Sequence, residues 1–152
     1  MHGLVAIAPH NTRASMVSGP TICFVRHPVD RFLSAARRLK LTPQELLRRH
    51  VMKNTNTGSV ELLCRHQTWW LDAPGVILRC TEQMDAVWPL LVEEYGWPVN
   101  PLPPKGHPDR NESPSPMPEI SEELWFDIAT VFDDDMDMWH DTYDEGLKLD
   151  GP

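Results

Sequence analysis

The chain has 152 residues, 41% of them hydrophobic, and a formal net charge of −8. That is enough apolar material for one compact domain with a true core, and the wrong overall sign for general nucleic-acid binding. No run of 18 apolar residues is present, which excludes a membrane-spanning helix, and the opening MHGLVAIAPHNTR lacks the basic start and long apolar stretch of a signal peptide.

Cys23, Cys64 and Cys80 are odd in number and show no CxxC spacing, so they read as buried or free thiols in a reducing, cytoplasmic compartment and not as a disulfide framework or zinc site. The charge is unevenly spread. Eight of the fourteen Lys and Arg fall between Arg26 and Lys53, and fourteen of the 22 acids between Asp109 and Asp150. A basic first third and an acidic last third point to an anion site in the former or a partner-facing surface. Solvated helix faces are the commoner meaning of such runs.

In chain order, GLVAIAP (3–9) is short, apolar and strand-like, and NTRASMVSG (11–19) reads as a short helix or loop. TICFV (21–25) is apolar on both faces, as a strand buried within a parallel sheet would be. From Val29 the spacing of Val29, Phe32, Leu33 and Ala36 turns helical, with Pro28 in the first turn where its missing N–H costs little. TPQE (42–45) is a capping box that opens a helix through about Val51. KNTNTGS (53–59) is a polar loop, a helix is expected over Val60 to Leu71, and GVILRC (75–80) is a second strand. Asp85 to Tyr95 reads as a helix stopped by Gly96.

The segment 98–118 holds eight of the fifteen prolines and is expected to be a surface loop. Ser121 caps a last helix with an apolar stripe of Leu124, Ile128, Val131 and Phe132, leading into the acidic FDDDMDMWHDTYDEG. The expectation is a single domain over 1–152, with an acidic C-terminal helix and tail over 121–152. Its fold class is α/β, a small three-layer parallel sheet with flanking helices.

The chemistry concentrates where TICFV turns into the next helix. A strand running into a helix leaves free N–H groups and a positive dipole end. Arg26 at the strand's end, Arg31 one turn in and Ser34 a turn later add two guanidinium groups and a hydroxyl. Arg26 and Ser34 can converge on a phosphate-sized anion, the arginine through its planar fork. The alternative is that Arg31 pairs with Asp30 or the acidic tail and Ser34 only packs.

FVRHPVDRFLSA resembles the 3′-phosphate-binding segment of the Golgi-type and bacterial carbohydrate sulfotransferases, the sulfotransferase family 2 group. Their pattern is a strand followed by Arg-x-Pro-x-x-Arg-x-x-Ser-x-aromatic, matched here by Arg26, Pro28, Arg31 and Ser34, with Ala36 in place of the aromatic. Downstream, CRHQTWWLDAPGVILRCTEQMDAVWPLLVEEYG is similar to that family's Gln, helix, strand and following helix. LPPKGHPDRNESP is similar to its Leu-Pro…His…Asn-x-Ser loop, and ISEELWFDIATVFDDDMDMW to its closing helix.

The resemblance implies a truncated P-loop-like sulfotransferase fold and sulfuryl transfer from phosphoadenosine phosphosulfate to a hydroxyl or amine. Arg26 and Ser34 would hold the 3′-phosphate, Arg31 would support them, and His107 and Asn111 would line the donor pocket. The family's lysine-bearing phosphate loop has only VAIAPHNTRAS (5–15) as a counterpart, which has no lysine and no glycine. The chain starts 25 residues before Arg26, so the loop and its strand are expected to be absent. Three roles follow as expectations. The first is an active or degenerate sulfotransferase, and the second a non-enzymatic assembly protein such as a phage virion component, completed by a homo- or hetero-oligomeric partner. The third is one half of a split enzyme.

Other patterns are weaker. His50, His66 and His107 lack metal-ligand spacing, so no metal is expected. DDDMDMWHD lacks the spacing of a calcium loop and reads as a solvated or partner-facing acidic helix end. Glu61 and His66 are generic acid–base groups. Trp69 and Trp70, about 100° apart on a helix, cannot both face one spot.

Overall fold

A computed structural model describes residues 12–52, 64–96 and 119–149. The strand expected at 3–9, the polar loop at 53–59 and the proline-rich segment at 98–118 lie outside the described residues. Two strands, β1 (Ile22–Val25) and β2 (Ile77–Cys80), pair in parallel with Ile22 opposite Ile77 and Val25 opposite Cys80. Strand alternation puts Ile22, Phe24, Ile77 and Arg79 on one face and Cys23, Val25, Leu78 and Cys80 on the other.

The helices are α1 (Pro28–Arg38), α2 (Pro43–Met52), the short α3 (Gln67–Trp70), α4 (Met84–Tyr95), α5 (Glu122–Val131) and α6 (Asp133–Leu149). Phe24 on one face of the sheet meets Trp88 of α4, with ring centroids 6.3 Å apart. On the other face the Cys80 thiol reaches the Trp139 carbonyl of α6 at 3.8 Å. The α/β class therefore holds, in a mainly helical form with one small parallel sheet.

Local signals explain most helix ends. The Thr42 hydroxyl accepts the Glu45 N–H at 3.1 Å and the Ser121 hydroxyl accepts that of Leu124 at 3.1 Å. Gly96 terminates α4 at φ 60°. Helix α1 ends in a Schellman arrangement, with the Leu41 N–H on the Ala36 carbonyl at 2.9 Å and Lys40 left-handed at φ 57°, where glycine is usual.

Two expectations are corrected. TICFV was expected to be buried on both sides, yet only Val25 is fully buried while Ile22, Cys23 and Phe24 are half-buried. Among the described residues the sheet has these two strands and no third. The helix expected through Leu71 is interrupted at Arg65–His66, and α3 begins afresh at Gln67. The cause is tertiary: the Asp135 carboxylate of α6 accepts the Gln67 and Thr68 amides at 2.7 and 2.9 Å, which caps a new helix start.

The main core is helical. Val29, Phe32, Leu33 and Ala36 of α1 pack with Leu46 of α2, Cys64, Leu124 and Ile128 of α5, and Phe132. Phe132, at the break between α5 and α6, touches the rings of Phe32, His50 and His66 at centroid distances of 5.7, 5.3 and 4.7 Å. Phe132→Ala is expected to cost about 3–5 kcal/mol in urea unfolding, whereas Phe126→Ala, at a 58% exposed site, should stay within about 0.5 kcal/mol. Lys40→Gly removes a left-handed side chain and should raise stability by about 0.5–1 kcal/mol in the same assay.

Candidate functional site

Strand β1 delivers Arg26 to the mouth of α1, and the next residues build the turn. His27 is the residue that caps α1, and its Nδ1 accepts the Val29 N–H at 3.2 Å. That bond leaves Nδ1 without a proton, so the neutral ring carries its proton on Nε2. The ring packs edge-on against Trp139 at 4.7 Å and beside Trp125 at 6.0 Å. Burial lowers the His27 pKa from 6.5; nearby Asp30 and Glu82 oppose the shift and His140 adds to it.

The His27 backbone N–H donates to the Glu82 carboxylate at 2.7 Å, and the Trp139 indole N–H donates to the same carboxylate at 3.1 Å. An internal carboxylate thus occupies this amide of the turn, and an incoming anion would rely on side chains.

Arg26 itself is held by its backbone. The Gln67 side chain accepts the Arg26 N–H at 2.9 Å and donates to the Arg26 carbonyl at 2.8 Å, much as a neighbouring strand's peptide would. Among the described residues the Arg26 guanidinium and the Ser34 hydroxyl carry no hydrogen bond, and both residues are half-buried. Arg31 follows the alternative expectation, toward the acidic tail. It is turned inward, donates to the Arg65 carbonyl at 2.6 Å and sits in the field of Asp135, while burial lowers its pKa. It ties α1 to the segment just before α3. His107 and Asn111, the expected pocket-lining pair, lie outside the described residues, as does Glu61.

His66, Asp134 and Asp135 bring three potential metal-ligand atoms within 4.8 Å of one another. Each of the three already has hydrogen-bond partners within the protein. The His66 Nδ1 pairs with Asp134 at 2.7 Å, Asp134 also accepts the Thr68 hydroxyl at 2.8 Å, and Asp135 accepts the two α3 amides. Burial would raise the Asp134 pKa, but the bonds from Thr68 and His66 together bring it below its ordinary value. For Asp135 burial wins over its two amide bonds and the pKa rises. The arrangement is that of a polar cap on α3.

A second polar knot anchors the chain leading into β1. Arg13 donates to the Trp69 carbonyl and pairs with Asp72 at 3.1 Å, while Ser15 bonds Asp72 through its N–H and hydroxyl. Trp69 stacks under the guanidinium groups of Arg13 and Arg65, at 3.8 and 4.1 Å, and meets Trp70 edge-on. Burial pushes the Cys64 thiol up to about 11 and the Cys80 thiol up to about 12, and raises Cys23 as well, which disfavours the thiolate.

The sequence does not point to Glu82 or Asp135, whereas Gln67 is the glutamine of CRHQ that the resemblance singles out. The partners of Gln67 and Glu82 are 41 and 55 residues away, so no local pattern gives the bonds they make. Asp135 hides in an acidic run, but Asp135, Thr142 and Gly146 are the buried residues of α6, and their spacing of seven and four marks one face of a helix. Comparison with known proteins finds no family model, no curated protein and no solved structure that matches this chain.

Because the fold favours a neutral His27, the stability it contributes is fully present above about pH 6.5 and is lost as pH falls through its lower folded pKa. Unfolding free energy should therefore drop between about pH 7.5 and about pH 5. His27→Asn, a cap that does not titrate, should reduce that drop. His50, whose pKa is also lowered by burial and by His66, accounts for a separate share that His50→Gln removes.

Proposed function

We propose that the chain is a sulfotransferase-like protein whose strand-to-helix turn binds the 3′-phosphate of phosphoadenosine phosphosulfate or of its product, adenosine 3′,5′-bisphosphate. The observation that carries this reading is the pairing of a clamped Arg26 backbone with an uncommitted Arg26 guanidinium at the C-terminal end of a parallel strand. Ser34 supplies a hydroxyl further along the helix that follows. A parallel strand's C-terminal end is where α/β proteins place their ligands, and a guanidinium fork suits a phosphate dianion. In this reading Arg26 and Ser34 hold the phosphate, and Arg31 acts only by fixing the loop below. Sulfuryl transfer to a hydroxyl or amine acceptor is the activity that the resemblance implies. The described residues supply charge and positioning for it but no assigned base or leaving-group lysine.

A non-enzymatic assembly role is the second reading. It is favoured by the sheet, whose two strands have no further strand partner among the described residues and leave Ile22, Cys23 and Phe24 half-buried. A partner polypeptide, whether a second copy or another protein, would complete it. No described helix is long and apolar enough to cross a membrane.

Isothermal titration with adenosine 3′,5′-bisphosphate separates the two. Wild-type chain should bind, Arg26→Ala should weaken binding by about tenfold or more, and Ser34→Ala by less, as expected for a charged and a neutral hydrogen bond. No heat at millimolar ligand, or equal binding by wild type and Arg26→Ala, removes the nucleotide reading and leaves the assembly role.

A further inference from the structure

Asp135 is the least expected residue in the molecule. Its side chain has 0% exposure, and burial raises its pKa against the pull of its two amide bonds. A well-packed apolar residue at such a site is often as stabilising as a buried charge, so the carboxylate's effect has to be sought in what it orients.

It accepts the N–H groups of Gln67 and Thr68. These are the first amides of α3, a helix of four residues that is too short to hold itself together. Asp135 therefore fixes the start of α3, while Asp134 on the Thr68 hydroxyl and Arg13 on the Trp69 carbonyl hold its body. Arg31, donating to the Arg65 carbonyl, holds the segment just before it.

Gln67 in turn is 7% exposed and spends both ends of its side-chain amide on the main chain of Arg26. Arg26 lies just past the last strand pair, Val25 with Cys80, so β2 no longer fixes its peptide. Gln67 does so instead, and with the peptide fixes the direction in which the Arg26 side chain leaves the backbone.

We infer that Asp135 is a positioning residue for Arg26, acting through the α3 amides and the Gln67 side chain. The coupling joins residues 109 positions apart, across three elements. Its functional meaning rests on the nucleotide reading above, but the physical coupling stands apart from it.

The test uses the full chain and compares Asp135→Asn and Asp135→Ala with Thr142→Ala. Thr142 is a similarly buried residue of the same helix, and its hydroxyl bonds only to the Met138 carbonyl within that helix. Amide exchange and side-chain amide signals are followed by 1H–15N NMR, and adenosine 3′,5′-bisphosphate affinity by titration. In Asp135→Asn the Arg26 amide should exchange at least about tenfold faster and the Gln67 side-chain signals should move, while α1 and α5 core amides keep their protection. Binding of the bisphosphate should weaken by about tenfold, and Thr142→Ala should leave Arg26 and Gln67 as in wild type. If Asp135→Ala does not fold, Asp135→Asn, which keeps the shape and one acceptor oxygen, decides the question.

An unchanged Arg26 amide and unchanged Gln67 signals in Asp135→Asn overturn the inference. So does an equal acceleration in Thr142→Ala, which would mean global loosening. Absence of bisphosphate binding in the wild type overturns the functional reading alone, because the exchange data still decide the coupling.

Discussion

The arrangement around the strand-to-helix turn depends on one buried carboxylate meeting two main-chain N–H groups. Asp135 caps α3, α3 places Gln67, and Gln67 completes the hydrogen bonding of Arg26 where the sheet has ended. Each link satisfies a polar group that would otherwise be buried or left half-paired, and an unpaired buried group costs about 1–3 kcal/mol. The links are thus mutually dependent. Removing Asp135 leaves two α3 amides without acceptors, and removing Gln67 leaves both polar groups of the Arg26 peptide without these partners.

This network compensates for a thin sheet. The two described strands, of four residues each, cannot by themselves form a rigid edge, since small sheets need a packed face or further strands. The protein places α4 against one face and α6 against the other, and builds its main apolar core among α1, α2 and α5. Phe132 links the two halves: its ring lies against α1, α2 and the segment before α3, and the backbone break there lets α6 turn back over the sheet. The charge segregation has a matching structural sense. The acidic run that starts at Asp133 places one carboxylate, Asp134, on His66 and Thr68 and buries the next, while the acids farther along α6 are mostly exposed.

What the residues reveal locally, the structure reproduces locally. Strands at 22–25 and 77–80, Pro28 and Ser121 at helix starts and Gly96 at a helix end all follow from side-chain periodicity and backbone preference. The helix expected through Leu71 fails at His66 because its boundary is set by a carboxylate 68 residues away, which no local pattern encodes. The inward partners of Arg31 are hidden from the sequence for a similar reason. The Arg65 carbonyl it bonds and the Asp135 charge near it come from distant parts of the chain. An acidic run says that most of its members are solvated, but only the spacing of Asp135 with Thr142 and Gly146 shows which one turns inward.

The electrostatic frame of the turn also constrains what it can hold. Glu82 sits on the His27 N–H, and Asp30 lies in the first turn of α1, so two carboxylates already compensate the positive end of that helix. His27, with its Nδ1 committed to the Val29 amide, offers an N–H donor at Nε2 and gains a second proton only by giving up that cap. An anion at this turn therefore gains little from backbone amides and must be held by groups outside the cap. Arg26 fits that requirement: its backbone is fully engaged while its guanidinium is not. Selectivity would then come from the fork of one arginine and one helix hydroxyl, which suits a compact phosphate better than an extended polyanion.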